Sequence, residues 1–259
     1  MKKEKYFQIN SIIKVFNILE TLVMRDEWEL NELAKATELP KTTVHRMLLN
    51  MQSLGYVDQV PRSRRYTATT KIFELGCVVI RKKSVLSTAR PIMEDMSFHT
   101  KETVNFSVPD GIYMILLDKV DSIHFALKED TPLGGRYLSY LSASGKAVLS
   151  QMRNEEIYEL FADHKFEPQT PNSISGIKEL IKHLEKTRAQ GYSEDNEEYA
   201  LGLRCIAAPI FDHTGKVIAG MSITAPTVRF TDDKLPEIVD ILKRGVADIS
   251  SRMGYHKDL

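Results

Sequence analysis

The tightest constraint on this chain lies between Leu30 and Gly55, where two short apolar stripes of helical period are separated by a break at Glu38, Leu39 and Pro40. In "LNELAKAT" the stripe is Leu30, Leu33 and Ala34. In "KTTVHRMLLNMQSLG" it is Val44, Met47, Leu48 and Met51, spaced i, i+3, i+4 and i+7, and Gly55 closes the segment. A preceding helix is expected over "SIIKVFNILETLVM", with Ile12, Val15, Phe16, Leu19 and Leu22 on one stripe and Ser11 or Asn10 as N-cap. Helices this short do not stand alone in water, so the three must bury their stripes against one another.

The outer side of the helix beginning near Lys41 is polar and basic. Lys41 and Arg46 can neutralise phosphates, the hydroxyls of Thr42 and Thr43 can reach base edges or phosphates, and His45 can donate to either. Two helices joined by so tight a turn, the second with such a face, describe a helix-turn-helix. The competing reading is a small three-helix bundle with a solvated face. Two strands follow, "GYVDQV" and "RRYTAT", around the turn "PRSR", with Arg62, Arg64 and Arg65 clustered at its tip. A basic hairpin in that place adds a wing and favours double-stranded DNA as the partner. Charge agrees: residues 1–83 hold 15 Lys and Arg against 9 Asp and Glu, the remainder 20 against 26, although the whole chain is neutral.

Three segments are expected: a DNA-binding domain over 1–69, a linker helix over 70–83 and a larger domain over 84–259. The linker "KIFELGCVVIRKK" is apolar nearly all round, through Ile72, Phe73, Leu75, Cys77, Val78, Val79 and Ile80, which suits a dimer contact or packing on its own chain. Cys77 reads as a small core residue. Beyond it, helical patterns ("VLSTARPIMEDMSFHTK", "SASGKAVLSQM", "EEIYELF", "GIKELIKHLEKTRAQG", "DDKLPEIVDILKRGVADISSRM") mix with strands ("TVNFSV", "IYMILLDKV", "IHFAL", "CIAAPIFD", "KVIAGMSITA"). The fold class is α+β, a winged helix-turn-helix followed by a domain with an antiparallel sheet. No stretch resembles a membrane helix or a signal peptide, and only two cysteines are present, so a cytoplasmic protein without disulfides or membrane contact is expected.

Signatures of catalysis are scarce. "SASGK" lacks the phosphate-loop spacing, there is no GxSxG, HExxH or CxxC, and His99, His124, His164, His183 and His213 are dispersed, so neither a metal nor a cofactor is expected. The "SASGK" turn opens a helix whose amides at Ala143, Ser144 and Gly145 could hold a carboxylate. An ordinary helix start capped by Ser142 explains the same residues equally well. Alternation puts Cys205, Ala207 and Pro209 on one face of a strand and Ser222 and Thr224 on one face of the next, with Asp195 just upstream. Small polar atoms on one sheet face suit a pocket for a small hydroxylated ligand. The remaining acids of "EDNEE" are expected to be solvated. Cys205 as the nucleophile of an enzyme stays a rival, as does a DNA-binding protein with no ligand.

Both motif blocks, "LNELAKATELPKTTVHRMLLNMQSLGYV" and "GYSEDNEEYALGLRCIAAPIFDHTGKVIAGMSIT", resemble the IclR family of bacterial transcriptional regulators over about Ser11 to Tyr255. "EDNEE", "GLRCIA" and the ending "MGYH" look most like its KdgR-type regulators of sugar-acid catabolism. The resemblance implies a winged helix-turn-helix, a linker helix and a GAF-like effector domain, assembled as a homodimer or homotetramer on a pseudo-palindromic operator. It also implies a ligand site at the backbone of Ala143 and Ser144, Asp195, Leu203 and Cys205 of "GLRC", and the hydroxyls of Ser222 and Thr224. The ligand implied is a small carboxylate, a sugar acid or 2-keto-3-deoxy acid; repression relieved by the ligand is expected, with activation as the alternative. Some members bind a metal ion in this domain; this sequence offers no independent ligand set for one.

Overall fold

The computed structural model describes residues 9–75, 85–124 and 131–255. The chain divides into two compact units, residues 1–83 and 84–259.

In the first unit α1 (Asn10–Leu22), α2 (Leu30–Ala36) and α3 (Lys41–Ser53) precede a hairpin of β1 (Val57–Gln59) and β2 (Tyr66–Ala68). Ile18, Leu22, Trp28, Leu33, Val44, Leu48, Met51, Val57 and Tyr66 close its core. Trp28 ties the hairpin to the helices: it exchanges backbone hydrogen bonds with Tyr66, while its indole N–H donates to the carbonyl of Leu22 at 3.1 Å. Between α2 and α3 the backbone of Glu38 turns left-handed, at φ +56°, which lets the chain reverse before Pro40.

One expectation for α1 fails. Val15, Ile18, Leu19 and Leu22 face the core, whereas Ile12 and Phe16 are more than half exposed. The helix carries apolar residues on more of its circumference than one stripe needs, so periodicity alone does not fix its rotation; the fit of Ile18 and Leu22 into the core with α2 and β2 does. Its N-cap is Ile9, which offers no side-chain bond, in place of Ser11 or Asn10. After β2, residues 71–75 are helical. The rest of the expected linker helix, Cys77 included, lies outside the described residues.

In the second unit α4 (Val85–Thr100), β3 (Thr103–Asp110), β4 (Tyr113–Val120) and β5 (Arg136–Leu138) are followed by α5 (Ala143–Leu149), α6 (Asn154–Leu160) and α7 (Ile177–Gln190). Then come β6 (Ser193–Asn196), β7 (Leu203–Phe211), β8 (Val217–Pro226) and α8 (Leu235–Arg252). The six strands form one antiparallel sheet in the order β5-β4-β3-β8-β7-β6. This is the expected α+β class. Two of its strands escape the sequence patterns: β5 is three residues long, and β6 is the polar run Ser-Glu-Asp-Asn, recruited as an edge by pairing with β7. Of the expected strand "IHFAL", Ile123 and His124 lie in a bend and the other residues are outside the described set. Among the described residues no helix is long and apolar enough to cross a membrane.

Strict alternation gives the sheet two unlike faces. Val104, Phe106, Ile206, Ala208, Met221 and Ile223 are buried against α4 and α8 in the main core. Their neighbours Asn105, Cys205, Ala207, Ser222 and Thr224 point the other way, toward α5, all seven of whose residues are buried.

Candidate functional site

Register assembles the polar face. Asp195 lies directly opposite Cys205, and Cys205 opposite Thr224. One rung away, Ala207 faces Ser222, which faces Asn105. Residues opposite each other in an antiparallel ladder share a face, so four strands bring an acid, a thiol, two hydroxyls and an amide together.

Above them α5 approaches closely because of two glycines. A side chain on Gly220 would put its Cβ 2.6 Å from the carbonyl oxygen of Ser144, and one on Gly145 would run into the backbone of Ser139. Ser142 caps the helix, its Oγ accepting from the Gly145 amide at 3.1 Å. That corrects one expectation: the Gly145 N–H is consumed by the cap, so the turn offers Ala143 and Ser144, whose amides precede the first intrahelical bond. The ordinary cap is thus present, and it leaves the amides of Ala143 and Ser144 outside its own hydrogen bond. Ser193 fastens the helix to the sheet by donating to the carbonyl of Ala143 at 2.6 Å.

Between α5 and this face lies a cavity with about 400 Å³ of unfilled space, part of it open to solvent. Ala143, Ser144, Asp195, Leu203, Cys205, Ser222 and Thr224 all line it. The rest of the wall comes from residues that the sequence did not single out for this site, including Asn105, Leu116, Thr131 and Tyr199. Tyr137 lines the cavity too; its hydroxyl donates to Ser107 Oγ at 2.6 Å and lies 3.0 Å from Ser144 Oγ. Asn105 Nδ2 donates to Thr224 Oγ1 at 3.3 Å. A signal for Asn105 exists in "TVNFSV", where Thr103, Asn105 and Ser107 alternate with Val104, Phe106 and Val108.

The electrostatics centre on Asp195, which is 1% exposed. Its Oδ1 accepts from the amides of Glu198 at 2.8 Å and Tyr199 at 3.2 Å. Burial pushes its carboxyl up to about 6, against the opposing pull of the Lys146 charge and those two amides. The other acids of "EDNEE" are not simply solvated. Glu198 is buried and meets Lys146 Nζ at 2.5 Å; burial pushes its carboxyl up to about 7, with the lysine again opposing. Glu194 turns to the far side, where it accepts from Arg204 at 2.6 Å, and Glu197 accepts from the Gly202 amide. Lys146 and Glu198 are 52 residues apart, a pairing no local pattern foretells.

In the first unit, Lys41, Thr42, His45 and Arg46 are exposed on α3, Thr43 is half-buried, and Val44, Leu48 and Met51 face inward. At the hairpin tip Arg62 and Arg64 are exposed, with Arg64 in the left-handed region at φ +54°. Arg65 is half-buried, and its guanidinium meets Glu29 at 3.1 Å. Among the described residues no group of three His, Cys, Asp or Glu side chains is placed to hold a metal ion.

Comparison with known proteins gives matches along nearly the whole chain. Residues 11–61 match the IclR helix-turn-helix domain, and residues 77–251 match the bacterial transcriptional regulator IclR C-terminal domain. The HTH-type transcriptional regulator KdgR of Dickeya chrysanthemi is 38% identical over 248 residues, covering 96% of this chain and 81% of that protein. KdgR of Escherichia coli strain K12 is 37% identical, with 96% and 94% covered. The crystal structure of the Thermotoga maritima IclR superposes with a TM-score of 0.80 at 31% identity, over 96% of this chain and all of the other.

Proposed function

Because the chain belongs to the IclR family of bacterial transcriptional regulators and carries that family's DNA-binding helix-turn-helix, we propose that it is a repressor whose hold on its operator is set by a small carboxylate bound under α5. The ligand class is a sugar acid or 2-keto-3-deoxy acid, in keeping with the KdgR relatives. The observation that carries this reading is the convergence on one cavity of two amides at a helix start, a buried acid and two hydroxyls. The amides of Ala143 and Ser144 bind the carboxylate, Asp195 accepts from a ligand hydroxyl, and Ser222 and Thr224 bond to the remaining oxygens, with Leu203 and Cys205 as wall.

On DNA, two copies of the chain set their α3 helices in successive major grooves, about 34 Å apart, on a pseudo-palindromic site. Lys41, Arg46, Arg62 and Arg64 meet phosphates, while Thr42, Thr43 and His45 sit at the groove. For the ligand to regulate, it must bind one arrangement of the two DNA-binding units more tightly than another, since equal affinity shifts nothing.

A thermal-shift series with sugar acids and 2-keto acids tests the effector reading. At about 100 times its Kd a true ligand stabilises the fold by about 2.7 kcal/mol. A flat response across the series would count against it. The DNA surface is tested by salt titration of operator binding: Arg46→Ala should lower the slope of log K against log salt by about 0.9, the share of one phosphate contact.

A further inference from the structure

The wall behind the cavity holds an unequal set of charges. Lys146 and Asp195 are each 1% exposed and Glu198 6%, so two carboxyls and one ammonium share a site nearly closed to water. With both acids ionised the trio would carry an uncompensated negative charge, and a buried charge without a partner takes up a proton sooner than remain. Among the described residues no second cation is ion-paired with either acid. Glu194 is engaged by Arg204 on the opposite face. On α7, His183 is kept neutral to lower pH first by its burial and then by the Lys146 charge, while Glu179 is occupied by the amide and hydroxyl of Ser175. The cluster is also mechanically joined to the cavity: Lys146 rides on α5 behind the Ala143–Ser144 turn, and the Glu198 amide holds Asp195 Oδ1.

We infer that Glu198, held in place by Lys146, is a positioning residue that shares a proton with Asp195, so that a carboxylate ligand enters the cavity together with a proton from solvent. The inference rests on the effector reading above and adds the charge state in which the site works. Each of the two carboxyls is raised in the direction this sharing requires. Because the groups are coupled, the proton belongs to the cluster and not to one residue. An entering anion adds a second negative charge beside Asp195 and draws in whatever fraction of the proton is still missing. A ligand hydroxyl donating to Asp195 favours its ionised form, which leaves Glu198 as the place for that proton.

Two measurements on the full chain decide it. The infrared spectrum of the ligand-free protein near pH 7 should contain the carbonyl stretch of a protonated carboxyl, fading as the pH is raised and absent in Glu198→Gln. Its absence from the wild-type protein overturns the inference without any variant. Calorimetric titration with 2-keto-3-deoxygluconate, in buffers of different ionisation enthalpy, should show uptake of up to one proton, with affinity falling up to about tenfold per pH unit above about pH 7. Glu198→Gln should bind with no uptake and a flat pH profile, whereas a purely structural role for the pair leaves uptake at zero in both proteins and overturns the inference. If this probe does not bind at any pH, the effector reading fails for it, and the infrared band alone decides the proton sharing.

Discussion

On one side of the sheet Ile206, Ala208, Met221 and Ile223 pack against two long helices; one residue along the same strands, Cys205, Ala207, Ser222 and Thr224 meet a helix of seven residues. The first set is apolar throughout, large at Ile206, Met221 and Ile223, and closed, as a core that has to supply stability must be. The second is small or polar, and its lack of bulk leaves the cavity. A single pair of strands therefore carries both duties, separated only by the pleat. Burial alone does not tell the faces apart, since Asp195 and Met221 are about equally hidden; the kind of atom buried does.

The comparison breaks most visibly on the apolar side. Met221→Ala should cost about 2–5 kcal/mol in urea unfolding through the lost packing and the void it leaves, while ligand affinity of the folded protein stays within a few-fold. A loss below about 1 kcal/mol would mean that this face is less tightly packed than described.

Asp195→Asn should act in the opposite direction. The Asp195 carboxyl is raised in the folded chain, so its ionisation favours unfolding: stability declines as pH rises from about 4, the unfolded value, through about 6, and the loss persists above. Asparagine escapes that loss and keeps an oxygen for the two amides. The variant should therefore be more stable than the parent by about 1–3 kcal/mol at pH 8 and no more stable at pH 4, with the ligand response abolished. Equal stability of the two proteins at pH 8 would show that Asp195 is not strained by its burial.

The smallest effect is expected at Cys205→Ser, a near-isosteric change on the polar face. Affinity should move by less than about tenfold and stability by about 1 kcal/mol, as for a wall residue. Turnover of a sugar acid by the parent that vanishes in this variant would instead restore the nucleophile reading.

The period-two rule made much of this legible. Along β7 and β8 the sequence alternates so regularly that Cys205, Ser222 and Thr224 could be assigned to one surface, and the same rule applied to β3 would have added Asn105. Other parts were closed to local reading for identifiable reasons. Helix α1 has more apolar residues than one stripe, so its rotation depends on what it packs against. The run Ser193–Asn196 has no strand-forming side chains and becomes β6 only through its partner. The pairs Lys146–Glu198 and Arg65–Glu29 join residues 52 and 36 positions apart, beyond any local pattern, and the first reverses the expectation that Glu198 is solvated.

The separation of the two faces by the pleat also bears on how such a protein diverges. Randomising the codons for Asn105, Cys205, Ser222 and Thr224 alters four of the residues that line the cavity without touching a single side chain of the main core. Duplicated copies of this gene can thus change the shape and polarity of this cavity through a few substitutions at alternate positions, each tolerated by the fold. Gly145 and Gly220 mark the boundary of that freedom, because any side chain there meets backbone.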